Sequence, residues 1–319
     1  MENRNHNAEI TLSTNPESVV DVLILAESST PIRNQDVSHI DPTETDGITI
    51  NRTQKGISPF VPIVKTPTYS AHSGTLSGYS VEIEDPDRET GYRCVGTVSP
   101  SYLLLTNEEV RSLALEVATR SKMAFKESRI FWDGSRFLHV VDFLGEKEEV
   151  VGGDEVGLSL VTRSSYDKSW RFEMALMGKR FLCDNGVISG EFFARIGFRH
   201  RENADQTSDW KYAVHEAMSV IQEAPSNLTR FVEGLRILKS IAMSDRHLRN
   251  IWSLYPGIGD AIKGQIVSRY VEAEEPTLYG FFNAGTNVFW HRQRMTASDF
   301  NNNDLFSTEM LRYAFDHLN

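Results

Sequence analysis

The spacing of apolar residues changes once along this chain, near residue 203, from the two-residue repeat of strands to the repeat of helices. Before that point, Trp170, Phe172, Met174 and Leu176 alternate with polar or small residues, as in a strand with one buried and one solvated face. Beyond it, apolar stripes recur at helical spacing. Strands followed by helices predict an α+β fold, with a mixed or antiparallel sheet of about six strands and an early helix, then a C-terminal helical half.

Composition divides the chain into three segments. Residues 1–58 are polar and acidic, contain one apolar cluster at Val19–Leu25, and are predicted to form a disordered acidic tail. A short N-terminal helix docked on the body is an equally good interpretation of this segment. Residues 59–203 are predicted to form a β-rich domain, and residues 204–319 an α-helical region packed on the sheet.

Local signals place several elements. Thr106 and Glu109 form a capping-box pattern before an apolar stripe, which predicts a helix. Asp133-Gly134 lies between two apolar runs and predicts a hairpin with a type I′ turn. We expect a loop over 145–154 and a second turn at Asn185-Gly186.

In the helical half, Pro225 is expected to separate two helices, the second of them capped by Ser226. A proline removes a backbone donor and is poorly tolerated inside a helix. The sequence therefore predicts a break at this position.

The residues suited to metals and cofactors are too sparse or wrongly spaced. Cys94 and Cys183 cannot form a disulfide framework or a four-cysteine zinc site. His215-Glu216 lacks the second histidine one turn later that a zinc-binding helix requires. The glycines of 257–264 lack the order of a phosphate-binding loop. We therefore predict no metal site and no cofactor.

The chain contains no apolar run of the roughly 20 residues that a membrane-spanning helix needs. The N-terminus has no signal-peptide pattern. We therefore expect a cytoplasmic protein with no membrane contact, located in the host cytoplasm if a phage encodes it.

The net charge of −11 argues against a general polyanion binder, but residues 160–201 are locally basic. Arg195, Arg199 and Arg201 fall on one face of a predicted strand, an arrangement that single-strand binders use. The alternative is that these arginines pair only with the many acidic residues. The predicted nucleic-acid-binding residues are Arg163, Lys168, Arg171, Lys179, Arg180, Arg195, Arg199 and Arg201.

An ordered series of motifs lies between residues 92 and 292. The motifs are Gly153-Asp154, Tyr166-Asp167-Lys168-Ser169, Arg180 with Cys183-x-Asn185-Gly186, His200, and Tyr279-Gly280-Phe281-Phe282-Asn283-Ala284-Gly285-Thr286. This series resembles the domain of unknown function 932 family of phages and plasmids. Relatives tend to have His-Asp-Gly-Ser at 166–169 and His-Thr at 200–201. The family-like positions that we predict to be structural are Asp154, Asp167, Cys183, Asn185, His200, Asn283 and Thr286.

Two of these positions carry more detailed expectations. We predict that Cys183 is buried at the end of a strand and that the Asn283 amide bonds to backbone groups near Thr286. In the functional alternative, Cys183, Asn283 and His200 line one site.

The resemblance implies an accessory protein of a phage or mobile element, whose strand–helix–hairpin core is similar to that of phage single-strand annealing proteins. We therefore expect a non-enzymatic protein that binds single-stranded nucleic acid, with a role in annealing or recombination. One alternative is a protein–protein or oligomer-forming module that acts on a host or viral partner through its N-terminal tail. Another is a metal-dependent nuclease or hydrolase with dispersed carboxylates such as Asp142, Asp154 and Asp167.

Overall fold

The computed structural model describes residues 8–13, 19–24, 49–52, 57–180, 185–187, 195–198, 206–291 and 297–317. The strands are β1 Ala8–Ser13, β2 Val19–Ile24, β3 Thr49–Arg52, β4 Ile63–Tyr69, β5 Leu76–Glu84, β6 Tyr92–Val98, β7 Phe125–Trp132, β8 Arg136–Val151, β9 Asp154–Ser165, β10 Phe172–Arg180, β11 Asn185–Val187 and β12 Arg195–Phe198. The helices are α1 Asn107–Arg120, α2 Gln206–Ser240, α3 Asp245–Leu254, α4 Asp260–Glu272, α5 Leu278–Trp290 and α6 Ala297–Asp316. This order confirms the predicted α+β fold, with an early helix and a helical C-terminal region.

The main sheet has seven strands in the order β11-β10-β9-β8-β7-β3, with β12 also paired to β10. All its pairs are antiparallel except β3 with β7. A second sheet holds β4, β5 and β6, and β1 pairs with β2. Among the described residues the main sheet is therefore mixed and has seven strands, in agreement with the predicted mixed or antiparallel sheet of about six.

The segment predicted to be a tail contains strands among its described residues. Val19–Ile24, most of the predicted apolar cluster, forms a hairpin with β1. Thr49–Arg52 adds a parallel strand to the main sheet, and Ile57 belongs to the hydrophobic core with 3% of its surface exposed. The rest of this segment lies outside the described residues, and the predicted boundaries at 58 and 203 stay predictions.

The hairpin predicted at Asp133-Gly134 is confirmed between β7 and β8, but its turn is not type I′. The connection has three residues, and positive φ occurs at Gly134 (96°) and not at Asp133. The Asp133 carboxylate accepts hydrogen bonds from the amides of Ser135 (3.0 Å) and Arg136 (2.8 Å). These hydrogen bonds from the turn amides to the Asp133 side chain hold the three-residue connection in place.

The loop predicted over 145–154 is wrong. β8 continues to Val151 with register shifts, and only Gly152 and Gly153, both at positive φ, form the turn into β9. β-Bulges absorb the extra residues, so pairing survives a stretch whose composition suggested a loop.

The solvated strand face predicted for β10 is also wrong, because every residue from Phe172 to Lys179 is buried. One face joins the main core through Phe172, Met174 and Leu176. The other face joins a second apolar cluster that includes Trp290 and Phe300 from the helical half. The sheet is therefore covered on both faces, which an alternating pattern does not reveal.

The predicted break at Pro225 is wrong, because α2 is one helix of 35 residues with this proline inside it. Ser226 is not an N-cap: its hydroxyl donates to the carbonyl of Glu223 at 2.8 Å. Ala224 and Leu228 are buried on either side of the proline. Tertiary packing here outweighs the local cost of losing one backbone donor.

The predicted capping box of α1 is confirmed at Thr106 and Glu109. Arg111 then ties the helix to the sheet, since its Nε and NH2 groups donate to the two oxygens of Glu127 at 2.7 and 2.6 Å. The buried His139 places Nε2 2.7 Å from the same carboxylate. Burial by itself would raise the pKa of Glu127, but the hydrogen bonds from Arg111 and His139 lower it to about 2.

This depressed pKa predicts a defined acid sensitivity. The contribution of Glu127 to the free energy of unfolding is complete above pH 4.5, which is the ordinary pKa of this carboxyl group. It is lost as the pH falls towards 2, by up to about 3 kcal/mol. Chemical denaturation at several pH values should show Glu127→Gln less stable than wild type at pH 7, with a smaller loss on acidification. Parallel pH profiles for the two proteins would contradict the assignment.

Close contact between α5 and α6 requires a glycine. A Cβ atom at Gly285 would overlap the ring of Phe306, whereas Gly264 on α4 is exposed with no atom within 4 Å of the Cβ position. We predict that Gly285→Ala destabilises the fold by about 1–3 kcal/mol through overpacking. The matched change Gly264→Ala should stabilise it by about 0.5–1 kcal/mol, since alanine favours a helix. Urea unfolding measures both, and equal effects of the two changes would refute this packing.

Candidate functional site

The predicted basic residues lie at two ends of the main sheet. Arg163 pairs in register with Glu173, whereas Arg180 pairs with Val156 at the other end of β9. Arg180 follows Glu173 by seven positions along β10, which corresponds to roughly 23 Å of strand. Arg199 and Arg201 lie outside the described residues, so the single arginine face predicted with Arg195 is not described.

At one end, Glu173 binds three arginines. Its carboxylate lies 3.2 Å from Arg163, 3.1 Å from Arg171 and 3.1 Å from Arg195, counted to the NH2 atom of each. Arg195 also pairs with Asp304 of α6. Burial by itself would raise the pKa of Glu173, but the three guanidinium groups lower it below its usual range. We call Arg163, Arg171, Glu173, Arg195 and Asp304 the arginine cluster.

The buried part of the cluster is lined by aromatic rings. The Arg163 guanidinium lies 3.9 Å from the ring centre of Phe300 and 5.6 Å from that of Trp170. Burial lowers the pKa of Arg163, although Glu173 opposes this effect. Within the described part of the chain, Nε and NH1 of Arg163 and Nε1 of Trp170 are buried without a hydrogen-bond partner. Such groups lose their hydration without replacement, which is unfavourable.

The loop that carries the motif Tyr166–Ser169 lies beside this cluster. Asp167 accepts hydrogen bonds from the Ser169 amide at 2.9 Å and from the Ser135 hydroxyl at 3.0 Å. These bonds lower the pKa of Asp167 against the opposing effect of burial. The Tyr166 hydroxyl accepts the amide N–H of Asn107 at 2.9 Å. The loop is therefore anchored to the start of α1 and to the β7–β8 turn.

Lys168 projects from this anchored loop with a φ of 65° and an exposed side chain. No hydrogen bond or ion pair of its ammonium group is found among the described residues. Left-handed backbone favours glycine, because a side chain at positive φ crowds the main chain. Lys168 therefore holds an exposed, unpaired charge on strained backbone.

Lys179 is buried in a different group. It donates to Asp142 at 2.9 Å, and Ser159 donates to the second oxygen of the same carboxylate at 2.7 Å. Asp142, Asp154 and Asp167 thus have separate partners, and the described residues contain no group of three or more potential ligands that could hold a metal ion. Nothing in this arrangement adds support to the hydrolase alternative.

At the opposite end of the sheet, Arg180 and Asp154 form a two-pronged ion pair. Nε and NH2 of Arg180 each lie 2.6 Å from an Asp154 oxygen, and the Tyr279 hydroxyl donates to the same carboxylate at 2.6 Å. Burial raises the pKa of Tyr279 above its usual range, so the phenol stays protonated and serves as a donor. The Asn283 side chain also bonds to Tyr279. Four motif positions from three distant stretches of the chain thereby meet at one point.

A polar cleft opens next to this group, between α4, α5 and the end of β10. Its volume is about 390 Å³, within the range of small-ligand sites. The lining residues are Arg180, Arg269, Glu272, Ala273, Glu275, Gly280, Asn283, Ala284 and Asn287. Arg269 of α4 donates to Asn287 of α5 at 3.2 Å, which joins the two walls, and to Glu272 of its own helix at 3.1 Å.

The remaining motif positions have mixed outcomes. Cys183 and His200 lie outside the described residues, so the single site proposed for them with Asn283 is not described. The turn predicted at Asn185-Gly186 is wrong, because both residues lie in β11. Gly186 is required for another reason: a Cβ there would lie 2.6 Å from Trp290 Cε2. Thr286 is fully buried and donates to the backbone carbonyl of Asn283 at 3.2 Å.

Comparison with known proteins adds one match. The family model described as Domain of unknown function (DUF932) matches residues 94–308, which include both ends of the sheet and most of the helical half. The chain belongs to the DUF932 family. No curated protein and no solved structure matches the chain. In the described part of the chain, no helix has the length and apolar character needed to cross a bilayer.

Sequence reasoning missed several residues of both ends. Glu173 was assigned to a solvated face, and Phe300 and Asp304 had no motif to mark them. Tyr279 lay inside the recognised motif, and a buried tyrosine usually has a hydrogen-bond partner. The need of a buried tyrosine for a hydrogen-bond partner was the signal that could have identified Tyr279.

We predict that Tyr279→Phe destabilises the fold by about 1.5–3 kcal/mol, because the change removes a hydrogen bond to a charged group. Tyr313→Phe is the matched control, since no hydrogen bond of its hydroxyl is found among the described residues, and its stability should be close to that of wild type. Urea unfolding at constant pH measures both. Equal stabilities of the two variants would argue against a structural role for the Tyr279–Asp154 bond.

Proposed function

We propose that this chain binds single-stranded nucleic acid at the end of the main sheet that carries the Tyr166–Ser169 loop and the arginine cluster. The observation that carries this proposal is Lys168, an exposed cation on left-handed backbone whose ammonium group has no hydrogen bond or ion pair with the residues that the structure describes. A non-glycine residue in this conformation costs of order 1 kcal/mol or more. A phosphate group bound by its ammonium would supply the compensating interaction.

The neighbourhood of Lys168 supports the same assignment. Arg171 exposes 44% of its side chain on the same loop and connects through Glu173 to Arg163 and Arg195. Cations beside aromatic rings are the combination with which single-strand binders hold phosphates and stack bases. Lys179 and Arg180, which lie elsewhere and are paired with carboxylates, are no longer part of the proposed surface.

An annealing or recombination role, in the setting of a phage or mobile element, belongs to this proposal and rests on the resemblance described above. The acidic balance of the whole chain has a consequence for binding. With a net charge of −11, long-range attraction to a polyanion is weak. We therefore expect binding that is measurable at low salt and falls steeply as salt is added.

Two lysines allow a matched test, because Lys168 and Lys122 are both exposed and both have positive φ, 65° and 62°. Lys122 follows α1 at the opposite end of β7 from the loop. Lys168→Gly and Lys122→Gly should each raise the melting temperature, since glycine relieves the strain. In fluorescence anisotropy with a labelled oligothymidylate, we expect Lys168→Gly to weaken binding several-fold and to reduce the salt slope by about one.

Lys122→Gly should bind like wild type, because it removes the same charge away from the proposed surface. Equal weakening by the two changes would mean that only net charge matters. Absence of binding by wild type at low salt would reject the nucleic-acid proposal.

A further inference from the structure

We infer that Arg163 and Trp170 form a phosphodiester-binding site for the same single strand, and that Phe300 and Asp304 of α6 occupy this site in the unliganded chain. This inference rests on the proposed function and adds to it a specific contact and an internal competitor. The site lies inside the arginine cluster, below the surface that carries Lys168.

The first argument is the set of unsatisfied donors. Arg163 and Trp170 are 4% and 2% exposed, yet Nε and NH1 of the guanidinium and Nε1 of the indole have no hydrogen-bond partner within the described residues. Of the three guanidinium nitrogens of Arg163, only NH2 is bonded to Glu173. A buried donor that has lost its water without gaining an acceptor destabilises the unliganded chain. The oxygens of a phosphodiester are the acceptors that a guanidinium edge and a neighbouring indole N–H can share.

The second argument is the chemistry of what covers the site. α6 places an aromatic ring 3.9 Å from the guanidinium of Arg163 and a carboxylate against Arg195. A nucleotide would bring the same two groups, a flat π surface and an anion. Phe300 and Asp304 therefore act as an internal substitute for a nucleotide.

The third argument is charge. In the part of the chain that the structure describes, the ion pairs of Arg163, Arg171 and Arg195 are with Glu173 and Asp304, so three positive charges meet two negative ones even with α6 in place. Displacing Asp304 would raise that excess and leave room for a phosphate. Arg171 reaches the surface near Lys168 in the sequence, so a bound nucleic-acid strand would meet cations from the surface down to the buried arginines.

The test weakens the internal competitor without touching the proposed ligand contacts. Asp304→Asn removes the charge that opposes a phosphate, and Phe300→Leu removes the ring while keeping an apolar side chain. Glu272→Gln on α4 is the charge-matched control, because it also removes one negative charge, from a half-exposed residue of the polar cleft. The probe is a fluorescein-labelled oligothymidylate, measured by anisotropy at constant salt, with a melting curve for each variant.

We expect Asp304→Asn and Phe300→Leu to bind about five-fold or more tightly than wild type, in the range of ordinary coupling between competing states. Glu272→Gln should bind like wild type. Unchanged or weaker binding by both α6 variants would overturn the inference, and it would leave the proposed function intact if Lys168→Gly still weakens binding. Absence of binding by wild type at low salt would overturn the proposed function, and the inference that rests on it would fall with it.

Discussion

Burial of the second face of the main sheet is the constraint on which the rest of the structure depends. Helical residues cover that face, and charged side chains of β9 and β10 are enclosed with it. A charge without water needs a partner, and carboxylates lie against the buried cations Arg163, Arg195 and Lys179 of this face. Glu173 serves Arg163 and Arg195, and Asp142 serves Lys179. These pairs determine how the strands and α6 meet.

The two ends of the sheet satisfy this constraint to different degrees. Around Asp154, Arg180 and Tyr279 the hydrogen bonds are short and mutually consistent, as expected of a group that holds the helical half to the sheet. Around Arg163, buried donors have no partner in the described residues, and a lysine sits on strained backbone nearby. Buried donors without a hydrogen-bond partner and strained backbone tend to occur at functional sites. For that reason we propose the functional site at the Arg163 end of the sheet and a structural role for the Asp154 end.

Local sequence rules succeeded where the interactions are themselves local. The capping box at Thr106 needs only three neighbouring residues, and the β7–β8 hairpin needs only Asp133-Gly134 and two apolar runs. The same rules failed at Pro225, where buried neighbours maintain a helix that propensity would end. They failed at Asn185-Gly186 because that glycine accommodates the ring of Trp290 from α5. A contact between distant elements leaves no signal in a short stretch of sequence.

The sequence by itself determined the α+β class and the order of strands and helices, because the spacing of apolar residues changes along the chain. It also determined that positions such as Asp154 and Tyr279 belong to a family series, because motifs are short stretches of sequence. Only the tertiary structure decided which charged side chains are paired and which are exposed to a ligand. It brought Phe300 and Asp304 onto Arg163 and Arg195, and it left Lys168 exposed, with no partner for its ammonium group among the described residues. Whether an arginine is solvated or neutralised depends on residues more than a hundred positions away, and pairing across that distance is a property of the packed fold.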